Sequence, residues 1–233
     1  MALTFDEATH AYFVDGKQKP SITTILSDLG FNGSGAAYYT ENSRSLGTAV
    51  DAVCAAVDTH CPQAETVEQA ASIFADLDPA ILPYLAGWLM FKREHSFTPD
   101  GWHHSLYSEK LNLCGTLDVV GNATASKGLS GSMEAASMRA TIVDVKTWKN
   151  PGQKPKRSAE IQLAGYAEMW ANGAGRSIQR WIVCLSGNGR YRLFKCENPG
   201  DFSVLQGASI VWHELHAMGV YKLKGEPERN AGD

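Results

Sequence analysis

Two acids and a lysine draw attention by where they sit. Asp118 lies in the apolar run 115–120 and Asp144 in the apolar run 140–145. Both runs are rich in β-branched residues and read as strands. An ionised carboxylate without a partner is expensive to bury, so a cation should meet these acids. Lys146 stands two residues past Asp144. Residues two apart on a strand share a face, so Asp144 and Lys146 point one way while Val143 and Val145 point the other. Downstream, Gln162 and Tyr166 are four apart in a stretch that reads as a helix, which puts both on one helical face.

This ordered set is Gly115-Thr116-Leu117-Asp118, then Asp144-Val145-Lys146, then the Gln162-x-x-x-Tyr166 helix. It resembles the PD-(D/E)XK nuclease superfamily, and within it the RecB-type and phage exonucleases. The segment HAYFVDGKQKPSITTIL, from His10 to Leu26, also looks like the opening of phage members. The resemblance runs from about residue 10 to about residue 195. A lone Asp-x-Lys is a weak signal; the ordered set in strand and helix context is more specific. The resemblance implies an α/β fold: a restriction-endonuclease-like core with a mixed central β-sheet flanked by helices, plus an N-terminal helical lobe. Residues 1–233 would form a single nuclease domain, with hairpin and lobe in 1–100, the catalytic core in 101–197 and a C-terminal helix and tail in 198–233. The implied function is a metal-dependent DNA exonuclease, phage-derived and tied to recombination or DNA processing. It would act in the bacterial cytoplasm, with DNA and a phage single-strand annealing or recombination protein as partners. A catalytically inactive DNA-binding relative and a DNA endonuclease are the alternatives on the same fold.

The resemblance also assigns roles. Asp118 and Asp144, with the backbone carbonyl of Val145, would bind the metal. An all-oxygen shell of this kind suits Mg²⁺, with Mn²⁺ as its substitute, rather than Zn²⁺. Lys146 would orient or help deprotonate the attacking water and stabilise charge on the phosphate. Gln162 and Tyr166 would support this centre and contact substrate. The competing reading of Asp118, Asp144 and Lys146 is a buried ion-paired cluster with no catalytic part. Asp51 closes the stretch Gly47-Thr48-Ala49-Val50-Asp51, where RecB-type relatives usually carry a metal-binding His. Asp51 is either an oxygen ligand in place of that His or a solvated helix residue. Glu109, at the end of an expected strand, would hold a second metal, a water or Lys146, or else is a solvated hairpin residue. His95, His103 and His104 match no trusted metal spacing and read as ordinary surface or core histidines.

Beside the acids runs a basic segment broken by Pro151, Gly152 and Pro155. Lys149, Lys154, Lys156 and Arg157 there suit a track for backbone phosphates, the alternative being a solvated loop. Trp148 would stack on a base or pack beneath the loop. The formal net charge of −4 does not advertise nucleic-acid binding, so a nuclease with this balance must concentrate its cations locally. Hydrophobic content of 44% and charged content of 20% describe an ordinary soluble globular chain. The five cysteines are scattered without a CxxC, which favours a reducing cytosol. The cysteine cluster that holds an iron–sulfur centre in some RecB-type relatives is missing, so no such cluster is expected. No apolar run approaches the roughly 20 residues needed to span a bilayer, so no membrane association is expected.

The elements that must position these residues follow from pattern. A hairpin at Tyr12-Phe13-Val14 with an Asp15-Gly16 turn leads into a helix capped by Ser21 and stopped at Gly30. A helix should run through Leu46 and Val50 to Val57, followed by helices over 66–77 and 79–97. A strand over 102–110 precedes the two acid-bearing strands, which an irregular segment over 122–139 separates. After the Gln162 helix come a hairpin over 179–196 and a closing helix over 202–220.

Overall fold

The computed structural model describes residues 1–32, 41–124, 138–148 and 154–226. The chain opens with a three-stranded antiparallel sheet, β1 (Leu3–Asp6), β2 (Ala11–Val14) and β3 (Lys17–Lys19). Asp15 and Gly16 take φ of 48° and 76°, the left-handed pair that a tight two-residue hairpin turn requires. Helix α1 (Ile22–Asp28) begins as its sequence predicts, with the Ser21 hydroxyl accepting the Thr24 N–H. Helix α2 (Glu41–His60) follows, then α3 (Val67–Ala71) and α4 (Leu82–His95). The helix expected over 66–77 is cut short at Ala71. Ser72 turns its hydroxyl back onto the Gln69 carbonyl at 2.7 Å, and Phe74 and Leu77 pack from irregular chain instead.

Five strands form the main sheet: β4 (Thr98–Ser108), β5 (Leu113–Thr124), β6 (Met138–Trp148), β7 (Gln179–Ser186) and β8 (Tyr191–Lys195), in that spatial order. All neighbours are antiparallel except β6 and β7, which run parallel. A parallel pair needs a crossover, and α5 (Arg157–Trp170) lies between these two strands in sequence. Helix α6 (Asp201–Ala217) closes the fold. The acid-bearing strands are longer than their apolar runs because the ladder continues through polar residues, as in Asn122↔Ala140 and Thr124↔Met138. The irregular segment expected over 122–139 is strand at 122–124 and 138–139, and 125–137 lies outside the described residues.

Both faces of this sheet are covered, which explains the near-continuous apolar runs. One face packs Ile142 and Ile182 against Ile22, Ile161, Tyr166, Leu205 and Trp212 of α1, α5 and α6. The other packs Val119, Val143 and Val183 against Val50, Leu85, Trp88 and Phe91 of α2 and α4. The helices expected as a lobe ahead of the sheet therefore roof one of its faces. Their orientation is pinned by a buried polar hub. Asp58 of α2 accepts the indole N–H groups of Trp88 and Trp102, each at 3.0 Å, and pairs with Lys92. Asp51 lies seven residues before Asp58, two helical turns away, so the hub that ties α2 to β4 also turns Asp51 toward β4.

Candidate active site

The sheet forks at the two acids. Strands β5 and β6 pair from Thr124↔Met138 only as far as Val119↔Val143. Beyond that point β5 stays on β4 down to Ser108↔Leu113, while β6 stays on β7 up to Trp148↔Ser186. Asp118 and Asp144 are the first residues past the last shared pair, one on each arm. The Asp118 carboxylate accepts the Val145 N–H at 2.8 Å and so replaces a ladder partner that β6 has lost. Further down the β5 arm, the Cys114 N–H is taken by the Pro20 carbonyl at 2.8 Å, so the segment leading into α1 seats itself in the fork.

Asp144 and Lys146 share the α5 side of β6, as strand alternation predicts. The Lys146 ammonium donates to one Asp144 oxygen at 2.7 Å. Asp144 is 3% exposed, and its other oxygen, Oδ2, is buried with no hydrogen-bond partner. A buried carboxylate oxygen left bare is costly, so the fork is arranged for a further positive group. Asp118 reports the same strain. Burial, then the neighbouring Asp144 charge, pushes its carboxyl up to about 7 against the pull of Lys146.

Gln162 and Tyr166 face this centre from α5. The Gln162 amide donates to the Tyr166 hydroxyl at 2.8 Å. Burial and the two acids hold the Tyr166 phenol well above its ordinary value, so it stays protonated. The ring reaches the fork because residue 115 has no side chain: a Cβ there would lie 2.5 Å from Tyr166 Cε1. Gly115→Ala should therefore cost about 1–3 kcal/mol through overpacking. Urea denaturation checks this, and an unchanged midpoint would mean that the ring does not need the space.

Asp51 does not stand alone on α2. Its Oδ2 meets His103 Nε2 at 2.5 Å. His103 sits on β4 between the pairs Trp102↔Val119 and His104↔Leu117, a register that sets it opposite Asp118. Its φ of 55° is left-handed in mid-strand. The hydrogen bond to Asp51 raises the His103 pKa, and the charges of Asp51 and Asp118 add to this. His103, expected to be an ordinary histidine, is thus bonded to Asp51. Glu109 stands apart from the acids. It lies exposed in the turn between β4 and β5, and Asp118 is five positions along β5 from Leu113, roughly 16 Å at the usual strand rise.

The basic segment divides. Lys149 lies outside the described residues. Lys154 is exposed, and Lys156 directly precedes α5. The Arg157 guanidinium is engaged by Glu160 and by buried Asp201, which also pairs with Arg180 at 3.0 Å. Trp148 packs on Phe194, their ring centroids 5.7 Å apart. It also lines a cavity of about 250 Å³ with Asn188, Arg190 and Arg192. Arg192 lies in one row with Lys146, through Lys146↔Cys184 and Cys184↔Arg192. Neither Arg190 nor Arg192 is marked by any sequence motif, and only the pairing of β6, β7 and β8 sets Arg192 in line with Lys146.

Among the described residues, no three His, Cys, Asp or Glu side chains close into a ready metal cage. The fork nonetheless fits a hard divalent ion in its donor chemistry: a bare buried carboxylate oxygen, a second carboxylate with raised pKa, and oxygen donors throughout. No helix among the described residues is long and apolar enough to cross a membrane. Comparison of the chain with known protein families and with curated proteins finds no match. A solved structure described as "Crystal structure of SSO0001" is similar over 87% of this chain and 88% of that one, at 10% identity and a TM-score of 0.33. A likeness at that level carries no weight here.

Proposed function

We propose that this chain is a divalent-metal-dependent nuclease with a restriction-endonuclease-like core, hydrolysing DNA phosphodiester bonds at the fork between Asp118 and Asp144. The observation that carries the reading is the bare, buried Asp144 oxygen beside an ammonium group held 2.7 Å from its twin. Asp118, Asp144 and the Val145 carbonyl would hold Mg²⁺ or Mn²⁺. Such an ion, when bound, supplies an activated water and offsets phosphate charge. The rest falls to the chain itself. Lys146 has a side chain 41% exposed and an ammonium tethered to Asp144, and that ammonium would meet a phosphate oxygen or the attacking water. Tyr166 stays neutral and acts as a donor, oriented by Gln162.

Lys154 and Lys156, next to the N-terminus of α5, would guide the phosphate backbone toward the fork. Replacing both with Ala should weaken DNA binding and reduce the slope of log affinity against log salt by about one per lost contact. An unchanged slope would remove these lysines from the interface. Substrate mode is tested with end-labelled linear duplex and closed circular DNA in Mg²⁺. An exonuclease, acting beside a recombination protein that uses the resected strand, degrades the linear form and leaves the circle intact. Cutting of the circle would identify an endonuclease, and no cleavage of either substrate in Mg²⁺ or Mn²⁺ would overturn the proposal.

A further inference from the structure

Arginines on a surface hairpin are usually no more than solvated cations, and Trp148 already has a packing partner in Phe194. The build of the β7–β8 hairpin argues for more. The Arg190 carbonyl accepts the Ser186 N–H at 3.0 Å, and the Arg190 N–H donates to Asn188 Oδ1 at 3.1 Å. That carbonyl also sits against α4 where Gly87 leaves room: a Cβ at residue 87 would lie 2.9 Å from it. The hairpin is thus seated on a helix, and the arginines it carries stand at fixed stations. Arg192 is braced a second time, its guanidinium 4.8 Å from the centroid of the Phe194 ring. Trp148 leans on that same ring from β6.

Trp148, Arg190 and Arg192 all line the cavity of about 250 Å³, and among the described residues that line it none is acidic. An aromatic plane with two cations and no acid suits a flat ring that carries an anion, which is the description of a nucleotide. The volume lies just below the ~300–1,000 Å³ of ordinary ligand clefts, so the space suits one base rather than a stack. Its place on the sheet ties it to the fork. Lys146, Cys184 and Arg192 pair in one row, so their side chains share a face, and Trp148 stands two residues past Lys146 on that face. The row spans two sheet spacings, about 10 Å from the Lys146 Cα to the Arg192 Cα. We infer that this cavity is a nucleotide subsite: the base of an unpaired nucleotide adjoining the scissile phosphate stacks on Trp148, and Arg190 and Arg192 hold its phosphate. A base inside a duplex has neighbours on both faces, so only an unpaired one can offer a face to the indole. The substrate strand is therefore single where it passes Lys146.

The inference takes its substrate from the nuclease reading above, and its test keeps the two apart. Binding is measured by fluorescence anisotropy in EDTA at low salt, with labelled probes of equal length: a single-stranded oligothymidylate, a fully abasic oligomer that keeps the phosphates, and a blunt duplex. Wild type should prefer oligothymidylate to the abasic oligomer by about fivefold or more, the worth of one stacked base. Trp148→Leu should erase most of that preference and leave duplex affinity unchanged. Trp148→Phe keeps a π-face and should retain part of the preference, which a mere packing role would not require. The Arg190→Ala/Arg192→Ala double variant should weaken both single-stranded probes and reduce the slope of log affinity against log salt by about 0.7 per lost contact. Equal wild-type affinity for the two single-stranded probes, an unchanged preference in Trp148→Leu, equal loss in the Leu and Phe variants, a duplex weakened as much as the single strand, or a wild-type salt slope in the arginine variant would each overturn the inference. Cleavage by wild type in Mg²⁺ is assayed in parallel. A wild type that shows the base preference yet cuts no DNA overturns the metal-dependent reading and leaves the subsite standing, whereas one that cuts without the preference overturns the subsite alone.

Discussion

Lys146→Ala should lower the turnover of DNA cleavage at least about a hundredfold, because one preorganised donor aimed at developing charge is typically worth about 10²–10³ in rate. The geometry gives the reason. The Lys146 ammonium is held at 2.7 Å by Asp144, whose own side chain is almost fully buried. A lysine fixed in this way pays little reorganisation when charge builds on a phosphate oxygen. Folding should survive the change in Mg²⁺, because the ion would offset the buried Asp144 charge that the substitution leaves unpaired. DNA affinity, spread over several phosphate contacts, should change by no more than about two- or threefold. Single-turnover cleavage and a binding isotherm measure the two quantities. Residual activity above about a tenth of wild type would take Lys146 out of the mechanism.

Asp118→Asn should abolish metal-dependent cleavage and, in EDTA at pH 8, make the protein more stable. The sign follows from the raised carboxyl. In the folded chain Asp118 titrates at about 7, against an ordinary 3.8. The folded state thus binds this proton more tightly than the unfolded state does. Stability contributed by the protonated group is present below 3.8, falls as the pH rises from there through about 7, and is gone above it. Asn cannot ionise, and its side-chain oxygen can still accept the Val145 N–H. The variant should gain on wild type as the pH rises, with the difference shrinking toward pH 4. Mn²⁺ should stabilise wild type far more than the variant, since binding to the folded state alone raises stability. Urea midpoints across that pH range, in EDTA and in Mn²⁺, test the claim. A variant less stable than wild type at pH 8 in EDTA, or equal stabilisation of both by Mn²⁺, would show that Asp118 is not a strained ligand. This trade of stability against function is common at catalytic sites.

What was legible in the sequence was local. Alternation along one strand placed Asp144 and Lys146 together, and helical spacing placed Gln162 beside Tyr166. The Ser21 cap and the Asp15-Gly16 turn were equally readable, because each acts within a few residues. The misses were matters of register and partner. Pairing across the turn after Ser108 sets residue 103 opposite residue 118 and carries Glu109 away from the acids. Spacing along the chain could not show this without knowing which strands pair and where. The apolar stripe on α4 announced a buried face but not what it buries against. The ion pairing of Arg157 with Asp201 joins α5 to α6, residues far apart in the sequence, and so escaped a reading by local charge. Arg192 comes into one row with Lys146 only through a parallel strand and a hairpin.

The central claim is that the bare oxygen of Asp144 and the carboxylate of Asp118 hold an ion used to cut DNA. Its most direct test is the release of label from an end-labelled linear duplex by wild type and by Asp144→Asn, each in Mg²⁺ and in EDTA. The account predicts product only for wild type in Mg²⁺, with Asp144→Asn at the level of the EDTA control. Product from wild type in EDTA, or equal product from Asp144→Asn in Mg²⁺, would contradict it.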